Sequence, residues 1–197
     1  MSRLILVLII GLFTASSATD RQKKSDKPQA DSVSMTEKQT VLTNCARGVA
    51  KPIVKKAVYP QTKFVLQPDS LTGIETVIFD NGDNLTIKNW GCEYYVLTFR
   101  FETSQFEANT TSLKYWYVAA YKIMTEIKQG IDAPIDIEKG LQALNKYISE
   151  NVFELELKTE IDFGGDEIRS FISIDMIEKL TDKKYAVEIS FADTRSW

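Results

Sequence analysis

The chain of 197 residues contains no histidine, and that absence excludes more chemistry than any residue present. Ser-His-Asp and Cys-His nucleophile systems, His-ligated zinc and imidazole pH switches all need a ring this sequence does not have. Cysteine is scarce as well. Cys45 and Cys92 have no C-x-x-C spacing for redox exchange, and a two-cysteine metal centre would lack other soft ligands. Neither sign of charge dominates: 24 Lys and Arg against 27 Asp and Glu give a net charge of -3. That balance argues against nucleic-acid binding, which wants a strongly basic surface. No Gly-rich phosphate loop follows a strand, because Gly164-Gly165 lacks both the spacing and a Lys-Ser/Thr pair. A Ser-Lys nucleophile has no S-x-x-K sequence to anchor it. These absences lead us to expect no cofactor and no metal centre.

The amino-terminal region reads as an export signal. Arg3 supplies a positive start, residues 4–13 (LILVLIIGLF) form an apolar run, and small residues follow at Ala15, Ser16, Ser17 and Ala18. The run is about half the ~20 residues needed to cross a bilayer. A cleavable signal over residues 1–18 is therefore expected, with no membrane span after its removal and a secreted or periplasmic product. Residues 19–40 are rich in Lys, Asp, Ser and Gln with almost nothing to bury, the composition of a disordered polar spacer. Residues 41–197 remain as one domain. In an oxidising compartment Cys45 and Cys92 are expected to form a structural disulfide, stabilising by up to about 4 kcal/mol on the chain-entropy account.

Periodicity predicts an α+β fold. A short helix is expected before Pro52, followed by strands at residues 63–67, 74–79 and 84–89. Asn81-Gly82 between the last two marks a hairpin, read as a type I′ turn with positive φ at both central residues. Residues 93–102 alternate cleanly: Tyr95, Leu97, Phe99 and Phe101 on one face, Thr98, Arg100 and Glu102 on the other. The period then changes to helical in residues 112–129, where Leu113, Trp116, Tyr117, Ala120, Met124 and Ile127 recur, and again in residues 136–149. Gly140 should weaken the second helix by up to about 1 kcal/mol relative to Ala. Alternation returns at residues 152–161, 168–176 and 184–192, with Tyr185, Val187, Ile189 and Phe191 inward. The expected architecture is a twisted antiparallel sheet with two antiparallel helices on one face, in the order β-block, α, α, β-block. Two separate sheets are the alternative.

Several side-chain groups carry candidate chemistry. Asp80, Asn81, Asp83 and Asn84 crowd one turn, and Asp162, Asp166 and Glu167 another; oxygen-rich turns can hold Ca²⁺, but these residues are also what tight turns need. Paired carboxylates are the main catalytic route left without histidine, with Glu75, Glu93, Glu102 and Glu107 as candidates. Asn84 and Asn109 open glycosylation sequons, which matter only in a eukaryotic host. Aromatics are the strongest signal, since Trp90, Tyr94, Tyr95, Tyr115, Trp116, Tyr117, Tyr121 and Trp197 exceed what one helix stripe and one strand face can bury. Exposed Tyr and Trp favour binding surfaces. The sequence thus leads to an exported, non-catalytic binding domain, such as an inhibitor, immunity or accessory protein, recognising another exported protein through Trp90, Tyr94, Tyr115 and Tyr121. The alternatives are a carboxylate-dependent hydrolase of extracellular polymer, and a carrier of an apolar small molecule. The carrier would require a pocket of at least about 300 Å³ between sheet and helices.

Overall fold

Pairing between the two blocks of alternating sequence decides the architecture. In the computed structural model, which describes Cys45 and residues 47–106, 110–151, 154–164, 169–181 and 183–194, seven strands form one sheet. The expected signal, spacer and first helix lie outside the described residues, apart from the segment beginning at Cys45. Strands β1 (Lys63–Leu66), β2 (Gly73–Ile78), β3 (Asn84–Trp90) and β4 (Tyr95–Thr103) form an antiparallel meander. Helices α1 (Leu113–Ile127) and α2 (Ile137–Glu150) follow, with a 3-10 turn at Lys128–Gly130 between them. Strands β5 (Ile161–Asp162), β6 (Ser170–Lys179) and β7 (Tyr185–Asp193) return to the same sheet. Its order is β1-β2-β3-β4-β7-β6-β5, every neighbouring pair antiparallel. β4 pairs with β7 from Tyr95↔Asp193 to Thr103↔Tyr185, so the two β blocks are halves of one sheet and the fold is α+β.

Period-two alternation then assigns the faces. Leu97 and Phe99 of β4, Val187, Ile189 and Phe191 of β7, Ile172 and Ile174 of β6, and Leu85 and Ile87 of β3 are all buried. They pack with Trp116, Tyr117 and Met124 of α1 and with Leu141 and Leu144 of α2 in one core. α2 starts where the Asp136 carboxylate accepts a hydrogen bond from Lys139 N at 3.0 Å, satisfying one of the free amides of the first turn. Gly140 in this helix answers to packing. A Cβ there would lie 2.7 Å from the Phe191 ring and 3.0 Å from the Phe163 ring, so glycine lets the helix backbone settle onto the sheet's aromatics.

The helices cover only part of this face. Over β2 and β3 a strap of extended chain takes their place: Val54 bridges Ile131, Lys55 N donates to Gly130 O at 2.8 Å, and Asp132 N donates to Ile53 O at 2.7 Å. Glu75 is buried beneath the strap, and its two carboxylate oxygens accept from Ile53 N (2.7 Å) and Val54 N (3.0 Å). Burial raises the Glu75 carboxyl above its ordinary value, with the two amide bonds pulling the other way. Cys45 and Cys92 are joined by a disulfide with Cα atoms 5.1 Å apart, which ties the start of the strap to the β3–β4 loop. Arg47 beside it donates to Asn89 Oδ1 and to Gly91 O, and its guanidinium lies 4.4 Å from the centre of the Tyr95 ring.

Three local expectations change. The β2–β3 hairpin forms, but Gly82 alone in its turn has positive φ (83°), with Gly82 N bonded to Phe79 O and Phe79 N to Asp83 O. That is a three-residue loop with the left-handed position on glycine, instead of a type I′ turn. Of the strand expected over 152–161, residues 152 and 153 lie outside the described residues, and in the rest only Ile161–Asp162 forms strand, because the chain before it turns at Lys158, which has φ 65°. Leu155 still buries itself while Leu157 is left exposed, so the alternation there reflects partial burial without pairing. Finally, the strand expected from residue 93 begins at Tyr95, which leaves Glu93 and Tyr94 in the β3–β4 loop.

The carboxylate of Asp83, in the turn considered for calcium, is directed inward. It accepts from Thr103 Oγ1 (2.7 Å), Ser104 N (3.0 Å), Ser104 Oγ (3.1 Å) and Asn81 Nδ2 (3.0 Å). Burial would raise its pKa, but these donors together outweigh burial and hold it below the ordinary 3.8. A depressed folded-state pKa gives stability that is present above the unfolded-state value and lost as pH falls through the folded one. Asp83→Asn should therefore cost about 1–3 kcal/mol near neutral pH and flatten the loss of stability below roughly pH 4, as read by urea titration across pH. Gly140→Ala should lower stability by about 1–3 kcal/mol, since overpacking against Phe191 and Phe163 exceeds the gain of up to ~1 kcal/mol in helix propensity; thermal unfolding of the variant checks it.

Candidate binding site on the open face of the sheet

Residues that alternate with the core set project to the other side of the sheet, away from both helices. This open face divides into two zones. At one end Arg100 of β4 pairs with Glu188 (2.8 Å), Glu178 (3.3 Å) and Glu102 (3.6 Å), and Lys184 reaches Glu102 at 3.8 Å. The Arg100 guanidinium is held above its ordinary pKa, first by its bond to Glu188. Such partly exposed pairs contribute little individually, and this zone reads as a solvated surface.

The opposite end is different in kind. Across β3, β4, β7 and β6 the register brings Trp90, Val96, Ala192 and Phe171 into one row, and Tyr94 rises from the adjoining loop. Together with Lys158 and Glu160 they border a concavity of about 440 Å³. Trp90 and Tyr94 meet edge-to-face with ring centres 6.4 Å apart, and Lys88 Nζ lies 4.6 Å from the centre of the Trp90 ring. The loop that carries Tyr94 depends on Gly91. With φ 111°, Gly91 holds a conformation L side chains rarely adopt, and a Cβ there would fall 2.1 Å from Tyr94 O. The Cys45–Cys92 bond anchors the same loop.

Beneath the aromatic rim runs a directional chain of hydrogen bonds. Ser190 Oγ donates to Asp175 Oδ2 at 2.5 Å and Ser173 Oγ to Asp175 Oδ1 at 2.6 Å. Because Ser190 has spent its proton on the carboxylate, Thr98 is the donor in the 3.0 Å contact between Thr98 Oγ1 and Ser190 Oγ. Trp90 Nε1 lies 3.5 Å from Thr98 Oγ1, aimed into the same chain. With every hydroxyl proton directed toward Asp175, the lone pairs left over make the floor an acceptor surface. Asp175 reaches this position through a β-bulge: the β6–β7 register shifts between Ile174 and Met176, and Asp175 is the extra residue. Lys158, with its positive φ, is fixed beside the bulge by a 2.8 Å bond from its N–H to Ile174 O.

The structure separates the four aromatic residues singled out from sequence. Trp90 and Tyr94 share the cleft. Tyr115 and Tyr121 lie on α1 in the layer covering the other face; Tyr115 is exposed beside Phe106 and Trp116, and Tyr121 packs partly buried against the core. Much of the apparent aromatic surplus is core: Tyr95, Trp116 and Tyr117 are buried, and the Tyr117 hydroxyl donates to Glu156 O at 2.6 Å. Burial pushes the Tyr117 phenol up to about 12. Trp197, Asn109, Glu107, Asp166 and Glu167 lie outside the described residues. Among the described residues the candidate carboxylates do not assemble a pair: Glu75 faces the strap, Glu102 joins the ion pairs of the open face, and Glu93 stands exposed in the loop. Sequence reading missed Phe171, Ser173, Asp175, Lys158 and Ser190. One signal was present in β6, where inward Ile172 and Ile174 are followed by Ile177, a break in period two that marks the bulge.

Stability should separate rim from core. Tyr94→Ala should change unfolding free energy by no more than about 0.5 kcal/mol, while Trp116→Ala should cost about 3–5 kcal/mol in chemical denaturation. No family model, curated protein or solved structure matches this chain, so the cleft is the guide to function.

Proposed function

We propose that the protein is an exported, non-catalytic binding domain that recognises another exported protein through the open-face cleft. One observation carries this reading: a concavity walled by Trp90, Tyr94 and Phe171 over an acceptor floor, on a sheet face that no helix among the described residues covers. Aromatic side chains around a pocket are the usual anchors of protein interfaces, where one inserted side chain supplies much of the affinity. The acceptor floor favours an inserted donor such as Arg, Lys or Tyr of the partner. The disulfide fits an oxidising compartment, and among the described residues no helix is long and apolar enough to cross a membrane. The signal-like residues 1–18 supply the route of export.

Tyr94 and Trp90 therefore carry recognition in this reading, and Tyr115 and Tyr121 stand apart from it. The test is capture of partners from the host's own exported fraction, comparing the natural chain with Trp90→Ala, Phe171→Ala and Tyr115→Ala. A stoichiometric partner should be retained by Tyr115→Ala and weakened at least about tenfold by each cleft substitution, the loss expected of an anchor worth more than ~1.4 kcal/mol. A partner lost with Tyr115→Ala and kept by the other two would move the site to the helix layer.

A further inference from the structure

A second cavity, of about 360 Å³, lies on the opposite side of the sheet, where the β2–β3 hairpin, the strap and the C-terminal half of α1 meet. Its volume is within the range of small-molecule sites. Ile123 and Ile127 of α1 and Phe101 of β4 give it apolar walls that are part of the core. Tyr59 of the strap and Phe79 of the hairpin complete the aromatic side, packed edge-to-face at right angles with centres 5.7 Å apart.

The polar side of the cavity has one sign. Asp80 and Glu126 line it, and no Lys or Arg is among the described residues that do. Both acids are exposed, and among the described residues neither forms a salt bridge. Asp83, also at the wall, is fully engaged by its own donors. Glu126 sits in the last turn of α1, where the carbonyl ends of the helix already place partial negative charge and a cation would be favoured. Burial, and then the nearby Glu126 charge, raise the Tyr59 phenol above its ordinary value. Aromatic faces add their own attraction for a cation.

We propose that this cavity binds a small organic ammonium ion, its apolar body against Phe101, Ile123 and Ile127 and its charged head between Glu126, Asp80 and the Tyr59–Phe79 rings. The apolar walls alone would accept any hydrophobic molecule of this size. The unneutralised acids select the cation from among them. This site is independent of the open-face cleft, and either can fail without the other.

The experiment is isothermal titration calorimetry of the disulfide-intact chain with phenethylammonium, 2-phenylethanol and phenylacetate, which share one ring and differ in the charge of the head. Phenethylammonium should bind saturably, and the alcohol and the acid at least about tenfold more weakly, the effect of losing one charge-assisted contact. Glu126→Gln and Asp80→Asn, both at exposed positions, should each weaken the ammonium by about tenfold, while Glu154→Gln, the same charge change elsewhere on the surface, leaves it unchanged. Failure of phenethylammonium to saturate below about 10 mM, equal binding of the alcohol, or equal loss with Glu154→Gln would overturn the proposal.

Discussion

The antiparallel pairing of β4 with β7 is the contact on which the rest of the structure depends. These strands lie on either side of the two helices in sequence, and their nine-residue register joins a four-stranded meander to a three-stranded one. Without it each block would be a small sheet with an edge to protect and too little apolar area on either face. With it, Leu97, Phe99, Val187, Ile189 and Phe191 form a continuous apolar strip at the centre of the sheet. The chain between β4 and β7 holds both helices, and they pack against that strip. Neither helix covers the opposite face.

Both proposed sites follow from how incompletely two helices cover seven strands. Over β2 and β3 the strap substitutes for a helix, and extended chain brings backbone amides that must be satisfied under burial. Glu75 satisfies two of them with one carboxylate, an acidic residue used as a structural acceptor. The strap stops short at Tyr59, and the space between Tyr59, the hairpin and α1 is the second cavity. On the uncovered face the β6 bulge turns Asp175 into a row of hydroxyls, and the disulfide with Gly91 shapes the loop that carries Tyr94. The two cavities differ in what they offer. One presents acceptors under an aromatic rim, the other exposed acids beside apolar walls.

The sequence was most legible where one physical rule acts alone. Alternation in β4 and β7 identified their inward faces residue by residue, and the helical stripe through Trp116, Tyr117 and Met124 identified the core face of α1. It misled where two requirements compete. Glu75 stood among the candidate catalytic carboxylates, but it alternates with Val77 on the inward side, where the strap's amides make it a structural acceptor. Gly140 looked like a weakness in a helix, and its reason lies in two rings far away in sequence. Lys158 stands in a run that alternates well enough for a strand, and tertiary packing turns the chain there instead. Cleft residues such as Phe171, Asp175 and Ser190 were illegible because they converge only after β7 has paired with both β4 and β6. Counting aromatics could not separate Tyr94 from Trp116, since that distinction rests on which side of the sheet the helices take.

Native-state hydrogen exchange tests the joined sheet most directly. If β4–β7 pairing holds the molecule together, the amides of β4 and β7 should exchange only with global unfolding and share one free energy, with β3 and β6 close to it and edge strands β1 and β5 opening first. Two separate plateaus, one for β1 to β4 and a lower one for β5 to β7, would show that the blocks unfold independently. That result would contradict the single sheet, and with it the uncovered face that carries the cleft.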